Sequence, residues 1–212
     1  MSGPARRAKP GPKSAPKPAA ARGAGEVRII GGQWKRTRLP VAERPGLRPT
    51  PDRVRETLFN WLGQDLDGLS CLDLFAGSGA LGFEAASRGA AKVVMVEHAP
   101  KVAAALEENA RLLAAGGRLQ IVRADAVKFA SSLSATGARF DVLFLDPPYK
   151  QGWIERLAPL LPQLLANDGA LYVEAEYPIE TIDACGDWKS VRSGRAGQVF
   201  YQLLRRTQHD GA

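Results

Sequence analysis

Phe140-Asp-Val-Leu-Phe-Leu-Asp-Pro-Pro-Tyr149 reads as a strand that stops at an acid, two prolines and a ring. Phe140, Val142, Leu143, Phe144 and Leu145 make a near-continuous apolar run. Such a run marks a strand covered on both faces, as in a parallel sheet flanked by helices. Pro147 and Pro148 cannot donate ladder hydrogen bonds, so pairing ends there. Each proline also holds the residue before it extended. The product is a stiff loop at the carboxyl end of a strand, where open α/β sheets bind ligands.

That loop offers a carboxylate (Asp146), outward carbonyls and an aromatic face (Tyr149). The set suits a planar amino group on a base. The nitrogen of such an amine is delocalised into the ring and is a poor nucleophile. Asp146 and the Pro147 carbonyl can accept its two N–H protons and direct the lone pair outward. Tyr149 can stack on the base, a contact of about 1–3 kcal/mol. The plainer alternative is a Pro-Pro loop that merely ends a strand, with Asp146 solvated.

Working backwards, the first core strand begins at Ser70 and runs into Asp73-Leu-Phe-Ala-Gly-Ser-Gly-Ala-Leu-Gly82. The glycines have G-x-G-x-x-G spacing and permit a tight turn and close backbone approach at a helix N-terminus. Glu97 lies twenty residues beyond Gly77, at the tip of the next strand, where an acid can hold ribose hydroxyls. A nucleoside cofactor is therefore expected. Asp73, at the strand end, suits a cationic amino-acid group and is unhelpful beside pyrophosphate, which argues against a dinucleotide. Asp125, ending the third strand, can accept from an adenine amine, or cap the helix that starts at Ala126, or both.

The whole pattern alternates. Strands are expected at 70–75, 92–97, 119–122, 140–145 and 170–175, with helices at 80–88, 100–115 and from Ala126. Residues 153–166 read as helical but punctuated, with Pro159 opening a second helix. Residues 188–192 and 198–204 read as a closing hairpin around Gly194 and Gly197. This is a doubly wound sheet with an antiparallel end.

Ahead of it, Val27-Arg-Ile-Ile30, Gly31-Gly32 and Gln33 to Leu39 read as a hairpin, with Trp34-Lys35-Arg36-Thr-Arg38 as its second arm. An aromatic among basic residues suits a nucleic acid backbone. After the loop Gly46-Leu-Arg-Pro-Thr50, Thr50 is expected as N-cap and Pro51 at the first helical position. That helix is expected to run to about Leu62, with Val54, Leu58, Trp61 and Leu62 on one side and Arg48, Arg53 and Arg55 round its start, drawing phosphate.

Charge agrees. Residues 1–55 hold fourteen Lys/Arg and three acids, a net of +11, which leaves −4 for the rest of a chain of net +7. A basic front on a mildly acidic body points to a polyanionic partner. Residues 1–25, rich in Pro, Ala, Gly, Lys and Arg, cannot build a core and are expected to be a disordered tail. No apolar run approaches the ~20 residues of a membrane span. With no signal-peptide pattern either, a cytoplasmic protein is expected. Cys71, Cys185, His98 and His209 show no ligand spacing, so no metal is expected.

The residues from Asp73 to Gly79 resemble the first motif of class I S-adenosylmethionine-dependent methyltransferases. Asp146-Pro-Pro-Tyr149 resembles the (Asp/Asn)-Pro-Pro-(Tyr/Phe) motif of those that methylate exocyclic amines. Arg28-Ile-Ile-Gly-Gly32, Gly46 to Thr50, and Asp52-Arg-Val-Arg-Glu-Thr-Leu-Phe-Asn-Trp61 resemble the bacterial 16S ribosomal RNA guanine-N2 methyltransferases of the D type. The resemblance covers about residues 26–206 and leaves out the tail.

It implies a Rossmann-like fold: a seven-stranded, mostly parallel sheet with an antiparallel C-terminal hairpin and an N-terminal hairpin extension. The implied division is a basic tail over 1–25, an RNA-binding extension over 26–50, a methyltransferase domain over 51–206 and a short tail over 207–212. S-adenosylmethionine would be held by Asp73, Phe75, Gly77, Gly79, Glu97, Asp125 and Ala126. The catalytic corner would be Asp146, Pro147, Pro148 and Tyr149. RNA would meet Arg28, Trp34, Lys35, Arg36, Arg38, Arg48 and Arg53. The partner would be 16S rRNA within a 30S particle or assembly intermediate, bound by a monomer that needs no membrane. Competing readings are a DNA or other RNA amino-methyltransferase, an NAD-linked oxidoreductase and a non-catalytic RNA-binding assembly factor. The segments between Gly79 and Asp146 are taken up by core elements, which leaves no room for a DNA target-recognition region.

Overall fold

A computed structural model describes residues 25–44, 50–179 and 188–206. The expectations for Arg48, Cys185, His209, the 1–24 tail and the C-terminal tail lie outside the described residues.

The strands are β1 (Glu26–Arg28), β2 (Arg38–Pro40), β3 (Ser70–Asp73), β4 (Lys92–Glu97), β5 (Leu119–Arg123), β6 (Phe140–Leu145), β7 (Leu165–Ala175), β8 (Trp188–Ala196) and β9 (Val199–Arg206). The helices are α1 (Asp52–Trp61), α2 (Ala80–Ser87), α3 (Pro100–Leu112), α4 (Ala126–Ser134), α5 (Trp153–Leu157) and α6 (Leu161–Leu164). Seven strands form one sheet in the order β5-β4-β3-β6-β7-β9-β8, with β9 antiparallel to both β7 and β8. The chain winds outward through β4 and β5, then returns to place β6 on the other side of β3. The crevice between the ends of β3 and β6 is the switch point where such sheets bind ligands.

Strand side chains alternate between two apolar layers. Cys71, Val93, Met95, Val142, Phe144 and Tyr172 pack with Leu58 and Phe59 of α1, Phe83 of α2 and Leu106 of α3. Leu72, Val94, Val96, Leu143 and Leu145 pack with Ala126 and Ala130 of α4, Leu157 of α5 and Leu161 of α6. Both faces of the central strands are covered, as their unbroken apolar runs require. Cys71 is a buried core residue whose thiol burial pushes up to about 12, with Asp141 and Asp73 adding to the shift. Among the described residues, no helix is long and apolar enough to cross a membrane, and no group of three or more His, Cys, Asp or Glu is placed to hold a metal.

Several expectations are corrected. The N-terminal hairpin pairs only Glu26–Arg28 with Arg38–Pro40; Trp34, Lys35 and Arg36 lie in the turn, which is docked on the body. Pro51 is the N-cap of α1, which has no side-chain capping bond because proline carries no side-chain acceptor and Thr50 lies one residue outside the cap. Arg55 does not face phosphate: it is buried and paired with Asp52 and Glu84. Pro159 starts no helix; α6 starts at Leu161, with Pro162 in its first turn. β7 begins five residues early because Leu165 pairs with Phe140 before the register shifts. β8 extends through Gly194 to Ala196, and the tight turn is Gly197-Gln198.

The extension is built into the body. Val27, Ile29, Leu39 and Val41 join the core of the α1–α2–α3 layer. The backbone N–H groups of Ile30 and Gly31 donate to the carboxylate of Glu84, at 2.7 and 2.8 Å. Arg88 donates to the same carboxylate at 2.7 Å. Gln33 N–H meets the Ser87 carbonyl at 2.7 Å. Gly32 has φ +71°, and a Cβ there would fall 1.8 Å from that carbonyl oxygen, so only glycine lets the turn lie this close to α2.

Candidate active site

β3 ends at Asp73, and the glycine turn carries the chain into α2. Leu74 N–H still pairs with the Phe144 carbonyl and Ala76 N–H with Val96, which anchors the turn to both neighbouring strands. Gly79 has φ +78°, and a Cβ there would strike the Phe83 ring at 2.3 Å. Glu97, at the tip of β4, accepts from Gly77 N–H at 3.2 Å and Ala99 N–H at 2.7 Å. Arg44 closes over it with a 3.2 Å ion pair. Asp125 accepts from Lys128 N–H at 3.0 Å, the helix-cap role allowed for it. Ala126 is buried beside it. Phe75 meets Trp153 edge-on at 5.4 Å between centroids, and Arg156 covers the far side of Trp153 at 4.4 Å.

The acid–diproline corner follows β6 directly. Pro147 is buried, Pro148 and Tyr149 are exposed, and Asp146 is partly exposed. The loop is tied down where Lys150 N–H donates to Glu176 at 3.0 Å. Register brings the acids together. Leu145 pairs with Val173, so Asp146 follows beside Glu174. Asp73 pairs with Phe144, which sets the first motif beside the second. The Thr50 side chain lies against Asp146 and Glu174 and favours the charged form of either. Tyr172 O–H donates to Glu174 at 2.9 Å.

Burial dominates the electrostatics here. It pushes Asp73 up to about 7, helped by the charge of Glu97 and opposed by the Phe75 and Gly82 N–H groups. It raises Asp146 well above the usual carboxylate range, with the charges of Glu174 and Asp73 adding and the Thr50 bond opposing. Glu174 is raised by burial against its bonds from Tyr172 and Thr50. Tyr149 is raised by burial and by the surrounding acids. None of the ion pairs among the described residues engages Asp73, Asp146 or Glu174. A strand-end crevice lined by buried acids without cationic partners suits a ligand carrying cationic groups and disfavours pyrophosphate. Asp73, Glu97 and the glycine turn therefore fit an adenosyl cofactor with ammonium and sulfonium centres better than a dinucleotide.

The basic residues of the extension lie on the surface. Arg28 pairs with Asp52 at 2.6 Å and Arg38 with Glu26 at 3.2 Å. Such exposed pairs are weak and exchange readily for phosphate. Lys35, Arg36 and Arg53 are exposed. Trp34 is half-buried with the Arg118 guanidinium 5.6 Å over its ring. Sequence reasoning missed Thr50, Tyr172, Glu174 and Arg44. Glu174 carried a usable signal: it stands at the end of an apolar strand, as Asp146 does. A larger cleft of about 590 Å³, lined by Arg139, Asp141 and Arg205 among others, opens at the opposite ends of β3 and β6 and takes no part in this site.

The profile of the family described as "Conserved hypothetical protein 95" matches residues 27–205. The chain is 44% identical over 186 residues to "Ribosomal RNA small subunit methyltransferase D" of Escherichia coli K12, covering 87% of this chain and 92% of that one. It is 40% identical to the protein of the same name from Haemophilus influenzae, covering 85% and 94%. The solved structure of yhhF from Escherichia coli superposes with a TM-score of 0.74 at 42% identity, covering 86% of this chain and 98% of that one.

Proposed function

We propose, for a chain that belongs to the conserved hypothetical protein 95 family and methylates ribosomal RNA with S-adenosylmethionine, that the acceptor is the exocyclic N2 amine of a guanine in 16S rRNA. One observation carries the choice of base: the corner at Asp146 is lined by acceptors, with Glu174 directly beside it. The Watson–Crick edge of guanine presents donors at N1 and N2 together. Adenine and cytosine set a ring acceptor next to their amine, which a carboxylate pair repels. A flipped base is read on this edge.

Asp146 and the Pro147 carbonyl would accept the two N2–H protons, leaving the nitrogen lone pair along the line of transfer. Tyr149 would stack on the ring, and Pro148 keeps the corner stiff. Asp73, Gly77, Gly79 and Phe75 would hold the amino-acid part of the cofactor, Glu97 the ribose, and Asp125 with Ala126 the adenine. When bound, S-adenosylmethionine supplies a methyl group on a positively charged sulfur. The chain's contribution would be positioning, with Asp146 taking up the N2 proton that is released. Its raised proton affinity, with burial as the main cause and Glu174 adding, suits that step.

Arg28, Trp34, Lys35, Arg36, Arg38, Arg48 and Arg53 would carry the rRNA backbone. The substrate would be a 30S particle or assembly intermediate, met by a single copy of the chain in the cytoplasm. The test is incubation with labelled cofactor and small ribosomal subunits lacking the modification, followed by nucleoside mass analysis. N2-methylguanosine is the expected product; N6-methyladenosine or a methylated cytosine overturns the choice of base.

A further inference from the structure

We propose that the cleft between the Tyr149 loop and the tip of the β8–β9 hairpin binds the RNA nucleotide that flanks the target guanine; this rests on the reading above. The cleft measures about 310 Å³ and is lined by Tyr149, Glu176, Arg195, Gln198, Val199 and Phe200. That is the small end of the ~300–1,000 Å³ range of ligand pockets, which suits one nucleotide. It shares Tyr149 with the acid–diproline corner, so its occupant is the immediate neighbour of a base held by Asp146.

The lining has the parts that single-stranded RNA needs: ring faces and a cation. The Tyr149 ring is 42% exposed. The Arg195 guanidinium lies over the Phe200 ring, 5.0 Å from its centroid. Its Nε donates to the Gly197 carbonyl at 2.9 Å. The guanidinium is thus fixed from one side while its terminal nitrogens remain for a phosphate. Among the described residues, no carboxylate is within ion-pair distance of Arg195. Glu176 and Gln198, which also line the cleft, offer acceptors to a base edge. A nucleotide there would set its phosphate at Arg195 and its base beside Tyr149.

The surrounding charge agrees. Residues 188–206 hold five Lys/Arg and no acid, set against an acidic balance for the body as a whole. β8 is the edge strand at one end of the sheet, whereas the N-terminal extension packs on α2 and α3. RNA would be gripped from both sides of the pocket.

The test is single-turnover methylation of unmodified small ribosomal subunits over a range of enzyme and salt concentrations. Arg195→Ala and Phe200→Leu are compared with Arg192→Ala, which removes an exposed charge from the same strand outside the cleft. Arg195→Ala is expected to raise the half-saturating concentration about tenfold and to flatten the log–log salt dependence by roughly one phosphate contact. Phe200→Leu is expected to raise it about fivefold or more without changing that slope. Cofactor binding and thermal stability should stay at wild-type values in both. Unchanged half-saturation in both cleft variants overturns the proposal, as does an equal loss in Arg192→Ala, which would mean diffuse charge alone. If wild-type protein methylates none of the ribosomal particles, the functional reading itself fails and the subsite with it.

Discussion

Asp146 and Glu174 stand side by side at the carboxyl ends of adjacent parallel strands, and the Thr50 side chain lies against both. Two carboxyls this close do not both ionise easily, so the pair holds a proton to higher pH than a lone acid. Thr50 precedes the Pro51 N-cap of α1, so the segment leading into α1 ends on the acid–diproline corner.

Replacing Asp146 by Ala removes the side-chain acceptor that would face the substrate amine. Single-turnover methylation should fall at least about 100-fold, while cofactor affinity by calorimetry changes little. Activity equal to wild type would remove Asp146 from the chemistry.

On the proposed mechanism, transfer needs Asp146 as a carboxylate. Its proton affinity is raised by burial first and by Glu174 and Asp73 next. The rate should therefore rise with pH through a limb lying above the usual carboxylate range. Glu174→Gln takes away one of those charges and keeps the contacts with Tyr172 and Thr50, so the acid limb should move to lower pH. A limb that stays in place in the pH–rate profile shows that Glu174 does not tune Asp146.

Asp73 keeps its proton in the folded protein up to about pH 7, against an ordinary value of 3.8. Between those two values the folded state binds more protons than the unfolded chain, so this group's contribution to stability is lost as pH rises from about 4 to about 7. Asp73→Asn should stabilise the cofactor-free protein at pH 8 by up to about 4 kcal/mol, with little gain at pH 4. The same variant should bind cofactor more weakly. Thermal melts at the two pH values, paired with a cofactor titration, measure both effects.

Glu84 is fully buried and accepts from the extension, from Arg55 and from Arg88. Glu84→Ala leaves Arg55 buried and short of a partner, at a cost of about 3–5 kcal/mol. Chemical denaturation should show that loss, and limited proteolysis should open the chain near residues 25–44. A change under about 1 kcal/mol would mean the extension is held by its apolar contacts alone.

Replacing Arg36 and Arg38 together should weaken binding to rRNA and reduce the steepness of its salt dependence by about two phosphate contacts. Filter binding at several salt concentrations measures this. A loss independent of salt would point to misfolding of the extension.

What could be read from the chain follows from how local each cause is. β4 and β6 begin and end where their apolar runs do, and β6 is closed by prolines that no tertiary contact can override. The glycine turn and Glu97 fell together because a βαβ spacing sets the ends of two adjacent strands side by side. Thr50 was misread because a hydroxyl before Pro51 satisfies the rules for a cap; only the packing of α1 on the sheet turns it to Asp146 and Glu174. Arg55 was misread because its charge outweighed its position. It lies three and four residues before Leu58 and Phe59, on the inward face, where a buried guanidinium needs the carboxylate of a different helix. That partner is 29 residues away, beyond the reach of local pattern.

The eight residues of α2 serve two ends at once. The helix starts at the Gly79 turn that follows β3 and finishes where Gly32 and Gln33 are clamped to Ser87. An eight-residue helix spans about 12 Å, and neither terminus has slack. On the function proposed above, the fold would work as a calliper: an RNA gripping the extension would present its base at one fixed remove, and RNA whose bend does not match that gap would be turned away before any chemistry begins.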